Sequence, residues 1–187
     1  MPDVLAGLET ARSLGFAPIK INMVALSDLA AEEIEAMVDY CIARGFVLRL
    51  IEPMPMGDAG RSVRPADMAA IRARLLERFD LVDALVPGGG PARYLRSTDG
   101  RFTVGFITPL SQHFCPTCNR VRLSADGKLY LCLGQDDAVD LRQMLRAGAT
   151  AADIEHAIVM ALASKPAQHE FSTTPHKMKR VMAKTGG

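Results

Sequence analysis

Apolar residues recur at helical spacing near the start of the chain and alternate with polar residues soon afterwards. The spacing over residues 4–14 predicts a helix, and Gly15 supplies its C-terminal stop. Residues 19–24 alternate in the manner of a strand, which places Lys20 and Asn22 together on the face opposite the apolar side chains. The first element pair is therefore a helix followed by a strand.

The same order repeats. A second apolar helical pattern ends near Gly45, and residues 46–52 form a second strand-like run with Arg49 at its centre. Strands that alternate with helices predict parallel pairing through crossover helices, as in an α/β barrel or an open sheet. A charge such as that of Arg49 inside such a strand must either find a partner or serve a ligand.

After residue 57 the pattern changes. Pro65 can begin a helix, and two hairpins are predicted around the turn signals Asp99-Gly100 and Asp126-Gly127. A further helix is predicted over residues 151–163, before a basic tail. The second half therefore resembles a small antiparallel sheet with helices.

Composition narrows the possible functions. The chain has 187 residues, 49% of them hydrophobic, which is enough to bury a core. Its net charge of +1 favours neither nucleic acid nor a membrane surface, and with 5% aromatic residues and no tryptophan it does not suggest a base-stacking platform. No run approaches the roughly 18 apolar residues of a membrane span, and the first residues lack a signal-peptide pattern. We expect a cytoplasmic protein.

Three of the four cysteines lie close together in the sequence, with the spacing Cys115-x2-Cys118-x13-Cys132. If Asp126-Gly127 is a two-residue turn, Val121 lies opposite Cys132, and the hairpin returns Cys132 to the other two thiols. In a reducing compartment this spacing is typical of a metal site.

The fourth cysteine, Cys41, falls on the apolar face of its helix. Free cysteine packs like a small hydrophobic residue, so we predict that Cys41 is a plain buried thiol and not a metal ligand.

The spacing leaves three interpretations of the triplet open. The thiols could be unligated, they could bind structural zinc with His113 as a fourth ligand, or they could hold an iron-sulfur cluster with one iron open. Arg120 and Arg122 lie two apart on a predicted strand, so both project from one face beside the thiols. They form either a site for phosphate or carboxylate or a solvated charged face.

The hairpin, with Phe114-Cys115 and Cys118-Asn119-Arg120-Val121-Arg122-Leu123, resembles the C-terminal portion of the molybdenum cofactor biosynthesis protein A family. These are GTP 3′,8-cyclases of the radical S-adenosylmethionine superfamily. The segments Lys20-Ile21-Asn22, Leu48 to Gly57 and Gly90 to Tyr94 are similar to that family too.

The resemblance implies a function for the hairpin. Cys115, Cys118 and Cys132 would hold a [4Fe-4S] cluster, with GTP at the open iron. Arg120 and Arg122, with Lys20 from the other half of the chain, would bind GTP.

The resemblance also implies a fold and a second cofactor. Residues 1–57 would be the last β/α units of an incomplete TIM-type barrel, and residues 58–187 a [4Fe-4S]/GTP domain. Met54 would contact S-adenosylmethionine, and Asn22 and Arg49 would line the cavity. The terminal Gly186 and Gly187 would enter the active site.

One departure from the family is clear. The CxxxCxxC loop that holds the radical cluster is absent, since only Cys41 precedes Cys115. We therefore expect a fragment or a truncated gene product: the substrate-binding half of a cyclase, inactive alone, that dimerises or associates with a missing N-terminal half. The alternative is a non-catalytic module that binds an iron-sulfur cluster or zinc.

Overall fold

The computed structural model describes residues 2–87, 90–171 and 180, and the chain divides into two units. Unit 1 comprises Met1–Glu52 and Pro65–Thr108, and unit 2 comprises Pro53–Arg64 and Pro109–Gly187. Each unit is thus discontinuous in sequence. The predicted boundary at residue 57, between the last units of a barrel and a [4Fe-4S]/GTP domain, stays a prediction.

Helices and strands alternate in the first half of the chain, and short strands dominate the second half until two helices end it. The helices are α1 (Pro2–Ser13), α2 (Ala31–Arg44), α3 (Gly57–Ser62), α4 (Met68–Phe79), α5 (Leu141–Arg146) and α6 (Ala151–Ala163). The strands are β1 (Lys20–Val24), β2 (Val47–Ile51), β3 (Leu81–Ala84), β4 (Arg93–Ser97), β5 (Thr103–Ile107), β6 (Arg122–Leu123), β7 (Lys128–Tyr130) and β8 (Ala138–Asp140).

Unit 1 contains a mixed sheet of five strands in the order β1-β2-β5-β4-β3. The pairs β1–β2 and β2–β5 are parallel, whereas β5–β4 and β4–β3 are antiparallel. The parallel pairing of β1 and β2 through α2 confirms the prediction from the alternation of helices and strands. The β4–β5 hairpin around Asp99-Gly100 confirms the prediction from that turn signal. The chain is an α/β protein.

The core of unit 1 lies between one face of this sheet and helices α2 and α4. Leu48 and Leu50 of β2, Val104 of β5 and Val38 of α2 are at most 1% exposed, and Cys41 is fully buried among them. Burial raises the pKa of the Cys41 thiol to about 11. The prediction that Cys41 is buried is confirmed.

Strand β1 forms one edge of the sheet. It pairs with β2 on one side, and no strand pairs with its other side within the part of the chain that the structure describes. Val24, at its end, is 49% exposed. The free side of β1 therefore presents backbone hydrogen-bonding groups for which a further strand would be the natural partner.

Helix α4 begins at Met68 and not at Pro65, so that part of the sequence prediction is wrong. The Asp67 carboxylate accepts hydrogen bonds of 3.0 Å from the N–H groups of both Ala69 and Ala70, which makes Asp67 the N-cap. Pro65 instead forms an isolated bridge with Leu26.

Unit 2 contains a three-stranded antiparallel sheet in the order β6-β7-β8, and α6 spans Ala151–Ala163 as predicted. Strand β8 adds a third strand to the hairpin, and helix α5 follows it directly. The sequence predicted neither element. Among the described residues, no helix is both long and apolar enough to span a bilayer.

Candidate functional site

Two of the three clustered cysteines are held by one short turn of unit 2. Cys115 opens the 3-10 turn Cys115–Thr117, and the N–H of Cys118 donates to the carbonyl of Cys115 over 3.1 Å. Thr117 closes the turn further, since its N–H and its hydroxyl each donate to the Phe114 carbonyl. Pro116 suits this turn because its ring fixes φ and its position needs no N–H donor. Both thiols are partly buried.

The third cysteine returns on the hairpin, but not in the predicted register. Arg122 pairs with Tyr130 and Leu123 with Leu129, which leaves a three-residue loop from Ala125 to Gly127. The prediction of a two-residue turn with Val121 opposite Cys132 is therefore wrong by one position. Gly127 adopts a φ of +79° and donates to the Ser124 carbonyl at 2.9 Å, as in a type I turn followed by a glycine bulge.

Cys132 nevertheless lies within electrostatic range of the other two thiols. Burial raises the pKa of the Cys132 thiol, and the neighbouring charges of Cys115 and Cys118 act in the same direction. Two other groups act against this rise, since a hydrogen bond from the Gly134 N–H and the charge of Lys165 both lower the pKa of Cys132. The three thiols thus share one electrostatic environment, in which two groups favour the thiolate of Cys132.

Lys165 links the two sides of the hairpin. Its Nζ donates to the carbonyl of Arg120 at 2.9 Å and to the carbonyl of Leu131 at 2.6 Å. Leu131 directly precedes Cys132, and Arg120 lies two residues after Cys118. One ammonium group therefore bonds to the backbone next to both cysteine segments.

The two arginines of the hairpin lie near the thiols but not on one strand. Strand β6 starts at Arg122, and Arg120 precedes it, so the prediction that both lie on one strand is wrong. Burial lowers the pKa of the Arg122 guanidinium, and repulsion by Arg120 and Arg180 acts in the same direction. The interaction of Arg122 with Cys118 has the opposite effect. Two cations therefore lie near the cysteine turn.

Aromatic rings complete this part of unit 2. The Arg120 guanidinium lies 5.3 Å from the centre of the Phe114 ring, and that of Arg180 lies 4.0 Å from the centre of the Tyr130 ring. Arg180 also donates to the Asp136 carboxylate at 2.8 Å and to the carbonyls of Leu133 and Gln135. Arg180 itself thus bonds to the loop that follows Cys132.

The predicted metal site has no preformed single-ion geometry. In residues 2–87, 90–171 and 180, no group of three or more His, Cys, Asp or Glu side chains is arranged to hold a metal ion. His113, the fourth ligand considered for zinc, is exposed, and its ring packs at an 82° angle to the ring of His169.

Unit 1 carries the other predicted binding residues on the exposed face of its sheet. Asn22 and Arg49 are register partners on β1 and β2, and the Arg49 Nε donates to the Asn22 Oδ1 at 2.8 Å. Lys20 lies two positions before Asn22 and therefore on the same face. Gly105 of β5 is the next register partner of Arg49, and a side chain there would collide with the ring of Tyr94.

Two further predicted sites have different outcomes. Met54 belongs to unit 2, where it packs against a small apolar cluster with Met56, Phe171 and Leu133. The predicted roles of Gly186 and Gly187 lie outside the described residues.

Sequence comparison with known families decides what this hairpin belongs to. Residues 46–171 match the family described as Molybdenum Cofactor Synthesis C, and this stretch includes the three cysteines and both hairpin arginines. The chain belongs to the Molybdenum Cofactor Synthesis C family.

Three curated relatives of this Molybdenum Cofactor Synthesis C chain are named GTP 3′,8-cyclases. A GTP 3′,8-cyclase of Paracoccus denitrificans is 42% identical over 194 residues, which cover 100% of this chain and 56% of the relative. GTP 3′,8-cyclase 1 of Pseudomonas aeruginosa and the GTP 3′,8-cyclase of Hydrogenovibrio crunogenus are also 42% identical and are each covered over 58% of their length. The chain thus spans little more than half the length of the relatives it matches. The resemblance to the C-terminal portion of these cyclases is confirmed.

Three residues of this Molybdenum Cofactor Synthesis C chain, Lys165 and Gly134 at the hairpin and Tyr94 beside Gly105 in unit 1, were not predicted to matter. Lys165 counted only as part of a basic tail, and its contact with carbonyls 34 and 45 residues earlier has no sequence signal. The Gly134 N–H and the Tyr94 ring likewise become informative only when their neighbours are known.

Proposed function

We propose that this chain is the substrate-binding part of a GTP 3′,8-cyclase of molybdenum cofactor biosynthesis. Cys115, Cys118 and Cys132 would hold a [4Fe-4S] cluster, and Arg120 and Arg122 would bind the triphosphate of GTP. The observation that carries this proposal is the approach of three thiols to one another beside a pair of arginines.

The donor set suits an iron-sulfur cluster. Thiolates are the usual ligands of such clusters, and all three cysteines are free and partly buried. Because a four-iron cluster is larger than a single ion, its thiolate ligands stand further apart than those around zinc. When bound through three thiolates, the cluster would offer one iron to a ring atom of the guanine base.

The remaining residues of the hairpin would position the substrate. Arg122 is half-buried beside two other guanidiniums, an arrangement that opposes its own charge. A polyphosphate placed there would offset the repulsion and accept hydrogen bonds from both forks. Positioning of this kind lowers a barrier because the reacting groups are already oriented when chemistry begins.

Unit 1 would contribute to the same reaction through its exposed sheet face. Lys20 supplies a cation for GTP, and Asn22 and Arg49 form a hydrogen-bonded pair that would line the cavity. In this proposal β1 and β2 are the last β/α units of a TIM-type barrel, and Met54 would contact S-adenosylmethionine. The free side of β1 would be covered by a further strand, from an N-terminal half or a second copy.

The first experiment is the iron, sulfide and zinc content of protein purified without oxygen. About four irons and four sulfides per chain with little zinc would support the cluster, since that is the composition of a [4Fe-4S] centre. One zinc and no sulfide would overturn it in favour of a structural zinc module.

The second experiment separates substrate binding from cluster binding. Replacing both Arg120 and Arg122 with alanine should weaken GTP binding at least about tenfold while the iron content stays unchanged. Arg146→Ala, on the exposed last turn of α5, is the matched control and should bind GTP as the parent chain does. Loss of iron in the double variant would make the arginines structural, and unchanged GTP binding would remove them from the substrate site.

A further inference from the structure

The ammonium of Lys165 occupies an unusual position for a lysine at the end of a helix. Lys165 follows the C-cap Ser164 of α6, yet its Nζ bonds to the carbonyls of Arg120 and Leu131. It therefore does not serve as a cap for the last carbonyls of α6, which is the common use of lysine at this place. Its acceptors belong instead to the two backbone segments that carry the cysteines.

These two carbonyls lie where the β6–β7 ladder has ended. The paired residues run from Leu123 with Leu129 to Arg122 with Tyr130, and neither Arg120 nor Leu131 belongs to a strand. Beyond Arg122 the two segments need another connection if they are to keep a fixed separation. The two hydrogen bonds of Lys165 provide that connection, and both involve a charged donor, which makes them stronger than neutral ones.

We propose that Lys165 is a positioning residue that holds the two cysteine-bearing segments together and so sets the separation of Cys118 and Cys132. The same contact fixes the carbonyl of Arg120 relative to that of Leu131. The inference rests on the proposed function only in taking these cysteines as ligands of one cluster. The geometric role of Lys165 is tested without any cluster.

The charge of Lys165 belongs to the same contact, because its ammonium is the donor to both carbonyls. A residue that only filled space between the segments would not need a charge, so the conservative exchange Lys165→Arg is informative. Arginine keeps the charge and offers several donors to the two carbonyls.

The test uses the full chain without iron, in the absence of oxygen, with a short bis-maleimide as the probe. Peptide mass spectrometry measures the yield of cross-links between Cys132 and either Cys115 or Cys118. We expect Lys165→Met to lower this yield roughly tenfold, because it retains the apolar stem but loses both charged hydrogen bonds. Lys165→Arg should recover most of it.

Lys128→Met is the matched control. Lys128 lies on the same hairpin, next to the turn, and its backbone bonds to Ser124 and not to the cysteine segments. This variant should cross-link as the parent chain does. A parent-like yield in Lys165→Met, or an equal loss in Lys128→Met, would overturn the proposal.

A thermal melt of each variant distinguishes positioning from loss of the fold. If Lys165→Met does not melt cooperatively, Lys165→Gln replaces it, since its amide retains a donor without the charge. Gln should give an intermediate yield, and a yield equal to that of the parent chain would overturn the proposal. If Lys165→Met cross-links poorly while the parent chain binds no iron, the positioning role stands and the proposed function fails.

Discussion

Arg49 donates from its Nε to the Oδ1 of Asn22 over 2.8 Å, and the two residues are register partners on the parallel strands β2 and β1. The charge inside the strand has thus found a partner, one of the two outcomes that the sequence allowed. The pair ties the edge strand to its neighbour through side chains as well as through the backbone.

A double-mutant cycle on this pair should give a small coupling. Asn22→Ala and Arg49→Ala break an exposed hydrogen bond, so we expect an interaction free energy of about 0.5–1 kcal/mol in urea unfolding. A coupling near zero would show that the pair does not hold in solution. The exchange Val82→Ala, on an exposed position of β3, should show no coupling to either variant.

The Asp67 cap should measurably stabilise α4. Asp67→Ala removes the acceptor for the N–H groups of Ala69 and Ala70 and should cost about 1 kcal/mol of the free energy of unfolding. Asp67→Asn keeps an oxygen acceptor and is the control. Its loss of free energy of unfolding should be well below that of Asp67→Ala. Equal losses in the two variants would contradict the capping role and point to the charge alone.

The Cys41 thiol should make stability depend on pH in the alkaline range. Its pKa rises from 9.0 to about 11 on folding, so between these values the folded chain binds more protons than the unfolded chain. Stability from this group is complete below pH 9 and is lost as the pH rises towards 11, by at most about 2–3 kcal/mol. Urea unfolding of the parent chain and of Cys41→Ala across this pH range checks the prediction. The difference between their free energies of unfolding should become smaller as the pH rises. Parallel profiles would contradict the burial effect.

The hairpin loop should be sensitive to a side chain at Gly127. Gly127→Ala places a Cβ within 2.6 Å of the Arg142 Cβ at a φ of +79°, so it combines a collision with backbone strain. Gly148→Ala has strain at a φ of +88° and open space around it. We expect a loss of about 1–2 kcal/mol for Gly148→Ala and a larger loss for Gly127→Ala. If Gly127→Ala melts at the same temperature as Gly148→Ala, Arg142 moves aside at little cost in free energy.

Local patterns predicted the elements whose formation depends on local chemistry. Alternation gave the parallel pairing of β1 and β2, and the apolar period gave α6 and the buried Cys41. The register of the hairpin was wrong because Asp126-Gly127 is compatible with loops of two and of three residues. The longer loop forms where Gly127 takes the left-handed conformation and the Ser124 hydroxyl accepts from the N–H of Lys128.

The position of Arg120 could not be predicted from its neighbours in sequence. An Arg-x-Arg pattern suits a strand, but the carbonyl of Arg120 bonds to Lys165 and not to an adjacent strand. That partner is 45 residues away. Long-range contacts of this kind are decided by how α6 packs, which single-sequence periodicity does not record.

The discontinuity of the two units bears on how this chain can be shortened. Pro53–Arg64 is synthesised in the middle of unit 1 but belongs to unit 2, where Met56 packs with Phe171. A shortened protein that starts at residue 58 would expose the ring of Phe171 to water, although every cysteine of the hairpin would be present. For expression of the hairpin by itself, the segment that begins at Pro53 has to be retained.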